Sequence, residues 1–160
     1  MYAFDIDPNA PKSQLYDDLH SAAMALVEGE PDGVANMANV AALIGQFLPG
    51  LNWAGFYRMV DGGLVLGPFV GKPACIRIAL GSGVCGAAAA SGETQLVADV
   101  HAFPGHIACD AASQSELVVP VIHEGQVTHV IDLDSPHLSR FDDEDRAGVE
   151  RLARSLAGRI

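Results

Sequence analysis

The residues best suited to chemistry in this chain are its three cysteines, Cys75, Cys85 and Cys109. An odd number excludes a fully paired set of structural disulfides, and the spacings Cys-x9-Cys and Cys-x23-Cys lack the close pairs typical of structural zinc sites. One thiolate could attack an electrophile, and a second thiol could then form a disulfide that an external dithiol reduces. Equally, each cysteine could be a small buried apolar residue.

Cys109 lies in a long loop, residues 100–113, that also carries His101 and His106. Long loops in compact domains are usually functional or disordered, and neighbouring histidines can hold a cysteine as the reactive thiolate. His101, His106, Cys109 and Asp110 could also bind a metal ion, but their spacing resembles no familiar motif. We therefore expect no metal here.

The other two cysteines flank a predicted joint of strand, turn and helix. Cys85 is expected near a helix N-terminus, where backbone amides favour the thiolate. Cys75 precedes Ile76, which we expect to face the core from a strand over residues 74–80. Alternation would turn Cys75 away from that core-facing side.

Three carboxylates fall on two consecutive strands. Asp132 and Asp134 are two residues apart, so they share a face and lie roughly 6.6 Å apart at about 3.3 Å per residue. If the hairpin is centred on residues 124–125, Glu116 lies across from Leu133 or its neighbours and close to both aspartates. Clustered carboxylates raise the pKa of at least one member, which can then donate a proton, while the others bind an ammonium group. The alternatives are a solvated outer face, or a turn cap at Asp134.

Three aromatic residues, Trp53, Phe56 and Tyr57, open the first predicted strand. Aromatic residues at such a place usually belong to the core. One or two of them could instead wall an apolar slot for a thioether methyl group.

The elements that must position these residues are helices at both ends and an antiparallel meander between them. Ser13 and Asp32 are predicted to cap the first two helices, and a last helix begins near Phe141. Hairpin turns and alternating apolar residues predict the strands. The expected fold is α+β, a central antiparallel sheet flanked by N-terminal and C-terminal helices; the predicted strands are 53–60, 64–70, 74–80, 95–98, 116–123 and 126–133.

Length and charge restrict the classes of function. The 160 residues suffice for one domain, expected over 1–160, and the net charge of −11 argues against nucleic-acid partners. No apolar run reaches the ~18 residues of a membrane span, and the N-terminus lacks the basic region of a secretory signal. We expect a cytoplasmic protein without a membrane partner.

Several sequence blocks together resemble the free methionine-R-sulfoxide reductases, which are single GAF domains. The resemblance runs in order from about Asn52 to Phe141 and includes all three cysteines. The blocks are Asn52-Trp-Ala-Gly-Phe-Tyr57, Leu66-Gly-Pro-Phe69, Gly71-Lys-Pro-Ala-Cys-Ile-Arg-Ile78, Gly83-Val-Cys-Gly86, Asp99-Val-His101, Phe103-Pro-Gly-His-Ile-Ala-Cys-Asp110, Ser115-Glu116 and Ile131-Asp-Leu-Asp-Ser-Pro136.

This resemblance implies a separate role for each residue. Cys109 matches the attacking cysteine that becomes sulfenic acid, Cys75 the principal resolving cysteine, and Cys85 a third that can join the exchange. The substrate-binding positions are matched by Glu116, Asp132, Asp134, Trp53 and Tyr57. The family implies thioredoxin as reductant, a homodimer, and no cofactor, in keeping with the absence of flavin, nicotinamide and metal motifs from the sequence.

Two features depart from the family pattern. Ser82 stands where a basic residue is more usual. Thr128-His129 replaces a smaller stretch before the aspartates, and this added bulk could change the shape of the pocket. Two other functions stay open: a GAF-type module that binds a small ligand without turnover, and a thiol enzyme that reduces peroxide.

Overall fold

The computed structural model describes residues 3–105 and 111–160. In these residues α1 (Lys12–Val27) and α2 (Gly33–Phe47) precede the strands, and α4 (Asp143–Leu156) follows them. A short helix, α3 (Gly83–Ser91), follows the third strand and precedes the fourth along the chain. The strands are β1 (Trp53–Val60), β2 (Gly63–Gly71), β3 (Arg77–Ala79), β4 (Gln95–Val97), β5 (Ser115–His123) and β6 (Gln126–Ser135).

The first two helices begin differently. The side chain of Asp32 accepts hydrogen bonds from the backbone N–H groups of Val34 and Ala35, as the sequence predicted for α2. The predicted cap at Ser13 is wrong, because α1 begins at Lys12, after Pro11, and no side chain caps it. Proline has a fixed φ compatible with a helix start, so α1 can begin there without a polar cap.

The strands form one antiparallel sheet in the order β3-β2-β1-β6-β5-β4. The two strands that carry the carboxylates, β5 and β6, are joined by Glu124 and Gly125. Their φ angles of 51° and 79° suit a tight hairpin turn. The register of the two strands places Glu116 opposite Asp134, a neighbour of the Leu133 that the turn alone predicted, because the pairing shifts between Val121 and Ile122. The α+β architecture with a central antiparallel sheet and flanking terminal helices is confirmed.

The two faces of this sheet have different cores. One face packs against α1, α2 and α4 and buries the larger apolar cluster, which includes Phe56, Leu117 and Leu133. The opposite face carries a smaller cluster with α3. Side chains alternate along a strand, so Asp132 and Asp134 lie on the α3 side, opposite to Leu133.

The third strand is shorter than predicted. It covers Arg77–Ala79 and pairs with residues 63–65 of β2. Ile76, expected to face the core, is 71% exposed, whereas Ile78 is buried. The prediction for Ile76 is wrong: the regular strand begins at Arg77, and although the Ile76 carbonyl accepts a hydrogen bond from the backbone N–H of Leu66, its side chain is exposed.

A buried charge network fastens the end of the chain to its beginning. Asp145 is fully buried and accepts hydrogen bonds from Lys12 Nζ at 2.6 Å and Tyr16 Oη at 2.9 Å. It also pairs with Arg140 Nη1 at 3.1 Å and accepts from the backbone N–H of Asp142 at 2.9 Å. These contacts connect α1, α4 and the segment that follows β6.

We expect Asp145→Ala to lower the free energy of unfolding by about 3 kcal/mol. The substitution leaves the Tyr16 hydroxyl and the nearly buried Arg140 guanidinium without this partner. Asp143→Ala is the matched control, in the same helical turn. Its carboxylate is 88% exposed and lies 3.4 Å from Arg146, so it should contribute at most about 1 kcal/mol. Urea unfolding measures both variants, and equal losses would contradict the role of the network.

Candidate active site

The three predicted carboxylates come together on the α3 side of the sheet. Glu116 on β5 lies opposite Asp134 on β6, and Asp132 lies one pair further along the same face. Glu116 and Asp132 are only 7% and 6% exposed, and Asp134 is half-buried. The solvated outer face that the sequence left open is therefore excluded for Glu116 and Asp132.

Burial changes the acidity of Glu116 and Asp132. It raises the pKa of Glu116 well above its ordinary value, and the negative charges of Asp132 and Asp134 raise it further. Burial likewise raises the pKa of Asp132 to about 6. Two interacting acids titrate as a pair, and the raised pKa values favour the protonated form of the pair, which can donate a proton.

Cys85 completes this buried cluster from the N-terminal turn of α3. Its Sγ lies 3.9 Å from Glu116 Oε1, and the thiol is free. Burial, then the charges of Asp132 and Glu116, raise the thiol pKa well above its ordinary value. The expected thiolate is therefore wrong: the partial charge of a helix N-terminus, about half a unit, is outweighed by burial and two neighbouring acids.

The aromatic residues divide between the two faces. Phe56 packs in the larger core on the helix side, as an ordinary core residue does. Trp53 and Tyr57 are buried on the carboxylate side, with ring centroids 6.0 Å apart, and Trp53 also stacks on Phe69 at 5.2 Å. These rings form one wall of the site.

Both rings also hold the backbone segment 72–75. Trp53 Nε1 donates to the carbonyl of Lys72, and Tyr57 Oη donates to the carbonyl of Cys75, each at 3.1 Å. Burial and the nearby carboxylates raise the pKa of the Tyr57 phenol, so it stays a neutral donor. The segment containing Cys75 is thus attached to the aromatic wall.

A narrow cavity separates this wall from the aspartates. It is lined by Trp53, Tyr57, Asp132, Asp134 and residues 72–74, and its volume of about 10 Å³ suffices for one water molecule. A thioether is larger, so segment 72–75 would have to move for one to enter this cavity.

The cysteines differ in their states. Cys75 is half-buried and disulfide-bonded, whereas Cys85 is a buried free thiol. Cys109, together with His106 and Asp110, lies outside the described residues, so its role stays a prediction. His101 is exposed, and its Nδ1 lies 3.1 Å from Asp99 Oδ1.

The sequence did not single out three residues near the site: Asn52, Gly55 and Ser113. Asn52 Nδ2 donates to Ser113 Oγ at 3.0 Å and so ties the end of the 100–113 loop to the start of β1. Gly55 lies opposite Asp132, where a Cβ would stand 2.4 Å from Phe69 Cβ and 2.7 Å from the Trp53 ring. Asn52 and Gly55 occur in the first matched block, which was the available signal.

The two departures from the family pattern are not among the residues that line the cavity beside the aspartates. Ser82 precedes α3 without capping it through its side chain. Thr128 is four residues from Asp132, about 13 Å along an extended strand, and it donates to the carbonyl of Val121. His129 is half-buried, and burial and Arg58 lower its pKa to about 4. Thr128 and His129 do not line the cavity beside the aspartates.

Known proteins are similar to this chain in sequence and in fold. The GAF domain family matches residues 34–160. The chain is 49% identical to a free methionine-R-sulfoxide reductase of Escherichia coli, over 91% of this chain and 88% of that protein. It is 42% identical to one of Saccharomyces cerevisiae, over 92% and 87%. The structure of free methionine-R-sulfoxide reductase from Neisseria meningitidis in complex with its substrate superposes with a TM-score of 0.95, at 42% identity, covering 99% of this chain and 95% of that one.

The fold, with its buried acidic pair beneath a short helix, is that of a GAF domain. Within that class, the chain belongs to the free methionine-R-sulfoxide reductase family, whose members are oxidoreductases. Among the residues that the structure describes, no helix has the length and apolarity needed to cross a membrane.

Proposed function

We propose that this chain reduces free methionine-R-sulfoxide to methionine with its own thiols. The observation that carries the proposal is the burial of Glu116 and Asp132 next to each other, beside the aromatic wall and Cys85, which raises the pKa of both acids. The names of the relatives in Escherichia coli and Saccharomyces cerevisiae support the same activity.

The substrate would bind between the aspartates and the aromatic wall. Asp132 and Asp134 supply negative charge for the α-ammonium group, and Trp53 and Tyr57 supply apolar surface for the thioether methyl. A peptide-bound methionine has no free ammonium group, so these contacts favour the free amino acid. Entry requires displacement of segment 72–75, because the cavity has about 10 Å³ in this state.

The first chemical step is attack of the Cys109 thiolate on the sulfoxide sulfur. The Glu116 and Asp132 pair donates a proton to the sulfoxide oxygen, which is transferred to Cys109 as sulfenic acid, and methionine leaves with a reduced sulfur. We assign the proton to Glu116, because burial and the charges of both aspartates raise its pKa and favour its protonated form.

In the second step the Cys75 thiol attacks the sulfenic acid, forms a disulfide with Cys109 and releases water. Cys75 is disulfide-bonded while Cys85 is a free thiol, which supports Cys75 as the principal resolving cysteine. Cys85, held as a neutral thiol beside Glu116, can join the exchange only after it loses its proton.

The remaining parts of the proposal concern the setting of the reaction. An external dithiol, proposed to be thioredoxin, reduces the disulfide and needs no cofactor on this chain. We further propose that residues 1–160 form a single GAF domain that acts as a cytoplasmic homodimer, without nucleic-acid or membrane partners.

Thiol counting tests the proposed activity against its two alternatives. The reduced chain is mixed with the separated R and S epimers of free methionine sulfoxide and with hydrogen peroxide. Loss of two thiols per chain with the R epimer, and little with the S epimer, is the expected result. No thiol loss would indicate a binding module, and equal loss with peroxide would indicate a peroxide-reducing enzyme; either outcome contradicts the proposal.

A further inference from the structure

We propose that Cys85, Glu116 and Asp132 form a site for a thiophilic divalent cation such as Zn²⁺, which would occupy the carboxylate end of the pocket and block it. The ion would act as an inhibitor and not as a resident cofactor. Cation binding needs only the cluster itself, whereas the inhibition also rests on the proposed function.

The geometry of the cluster is compatible with a metal ion. One ligand atom from each of the three residues lies within 4.8 Å of the others. In a tetrahedral zinc site, a thiolate sulfur and a carboxylate oxygen are about 3.5 Å apart, as follows from bonds of about 2.3 and 2.0 Å. Cys85 Sγ and Glu116 Oε1 are 3.9 Å apart, so a shift of a few tenths of an ångström brings this pair to coordination distance.

An unsatisfied oxygen points independently to a ligand in this place. Asp132 is 6% exposed, and its Oδ1 is buried with no hydrogen-bond partner among residues 3–105 and 111–160. A buried carboxylate oxygen without a partner loses its solvation uncompensated, so a bound cation or donor would satisfy it. The ammonium group of the substrate is one such donor, and a metal ion would compete with it for the same oxygen.

The ligand types select the class of ion. A thiolate with two carboxylates suits Zn²⁺, Co²⁺ or Cd²⁺, whereas Mg²⁺ and Ca²⁺ require oxygen ligands throughout. Binding displaces the thiol proton and the shared carboxyl proton to solvent, and a water molecule fills the fourth position.

Cobalt binding tests the site by a readout that does not depend on activity. The full chain is oxidised until one thiol per molecule remains, which leaves Cys85 as the free thiol, and is then titrated with Co²⁺ and with Mg²⁺. We expect a thiolate-to-cobalt charge-transfer absorption that saturates at one ion per chain, that Zn²⁺ abolishes, and that Mg²⁺ does not produce. Absence of this absorption in the parent protein would overturn the proposal.

Variants identify the ligands. Cys85→Ala should lose the charge-transfer absorption, and Glu116→Gln should weaken Co²⁺ binding at least about tenfold, the usual cost of losing one supporting carboxylate. Glu28→Gln, which removes an exposed carboxylate after α1, is the charge-matched control and should bind as the parent does. An absorption that persists in Cys85→Ala, or equal losses in the two glutamine variants, would overturn the site. If Co²⁺ binds as expected while methionine sulfoxide is not reduced, only the proposed activity fails.

Discussion

Replacing Cys109 by serine should abolish steady-state reduction of free methionine-R-sulfoxide, with a loss of at least about a thousandfold, because a serine hydroxyl cannot accept oxygen from the sulfoxide as a thiolate does. Cys75→Ser should behave differently. It retains the attacking thiol, so it should release about one methionine per chain and then stall as the sulfenic acid accumulates.

Rapid-quench measurement of methionine release separates these two roles. Cys85→Ser provides the matched control, since Cys85 is a free thiol while Cys75 is disulfide-bonded. It should keep most of the steady-state rate with an external dithiol. Steady-state activity in Cys109→Ser would disprove the assignment of the nucleophile, and continued turnover in Cys75→Ser would transfer the resolving role to another thiol.

Replacing Glu116 by glutamine should lower kcat/KM about a hundredfold, the usual effect of removing a general acid. The parent enzyme should lose kcat/KM as the pH rises through the raised pKa of the Glu116 pair, because the protonated donor is then depleted. Glutamine does not titrate, so this falling limb should disappear in Glu116→Gln.

Asp134→Asn should instead act mainly on KM by weakening the proposed contact with the ammonium group.

The stability of Glu116→Gln separates a catalytic effect from a structural one. An acid whose pKa is raised in the folded state binds protons more tightly there than in the unfolded chain. The fold therefore loses stability as pH rises from the ordinary carboxyl pKa, about 4, through the raised folded value. Removing the ionisable group should leave Glu116→Gln at least as stable as the parent near neutral pH. A variant that is both inactive and much less stable would contradict a role in proton donation.

The sequence predicted those parts of the fold that local rules determine. The hairpin turn at Glu124 and Gly125 predicted that Glu116 lies across from Leu133 or its neighbours. A register shift between Val121 and Ile122, which the turn does not predict, places Glu116 opposite Asp134. The cap of α2 at Asp32 followed from the known preference of aspartate for helix N-termini. The exposure of Ile76 could not be predicted, because the start of β3 depends on which residues of β2 are available for pairing.

The sequence predicted that the three carboxylates come together, but not the electrostatic state of Cys85 beside them. Position near a helix N-terminus suggested a thiolate at Cys85, yet burial, and then the charges of Asp132 and Glu116, which are distant in sequence, raise the pKa of its thiol. The second function of Trp53 and Tyr57 was also inaccessible, because a strand pattern gives the face of a residue but not the backbone atom that its polar group reaches.

Those two hydrogen bonds have a consequence for the order of events in a catalytic cycle. The rings that face the aspartates also bind the backbone on either side of residues 73 and 74, up to the carbonyl of Cys75. Under the proposed function, admission of an amino acid would therefore displace the segment that carries Cys75. With Cys75 disulfide-bonded the cavity has a volume of only about 10 Å³. A second sulfoxide would therefore be kept out until the first oxidising equivalent has been passed on.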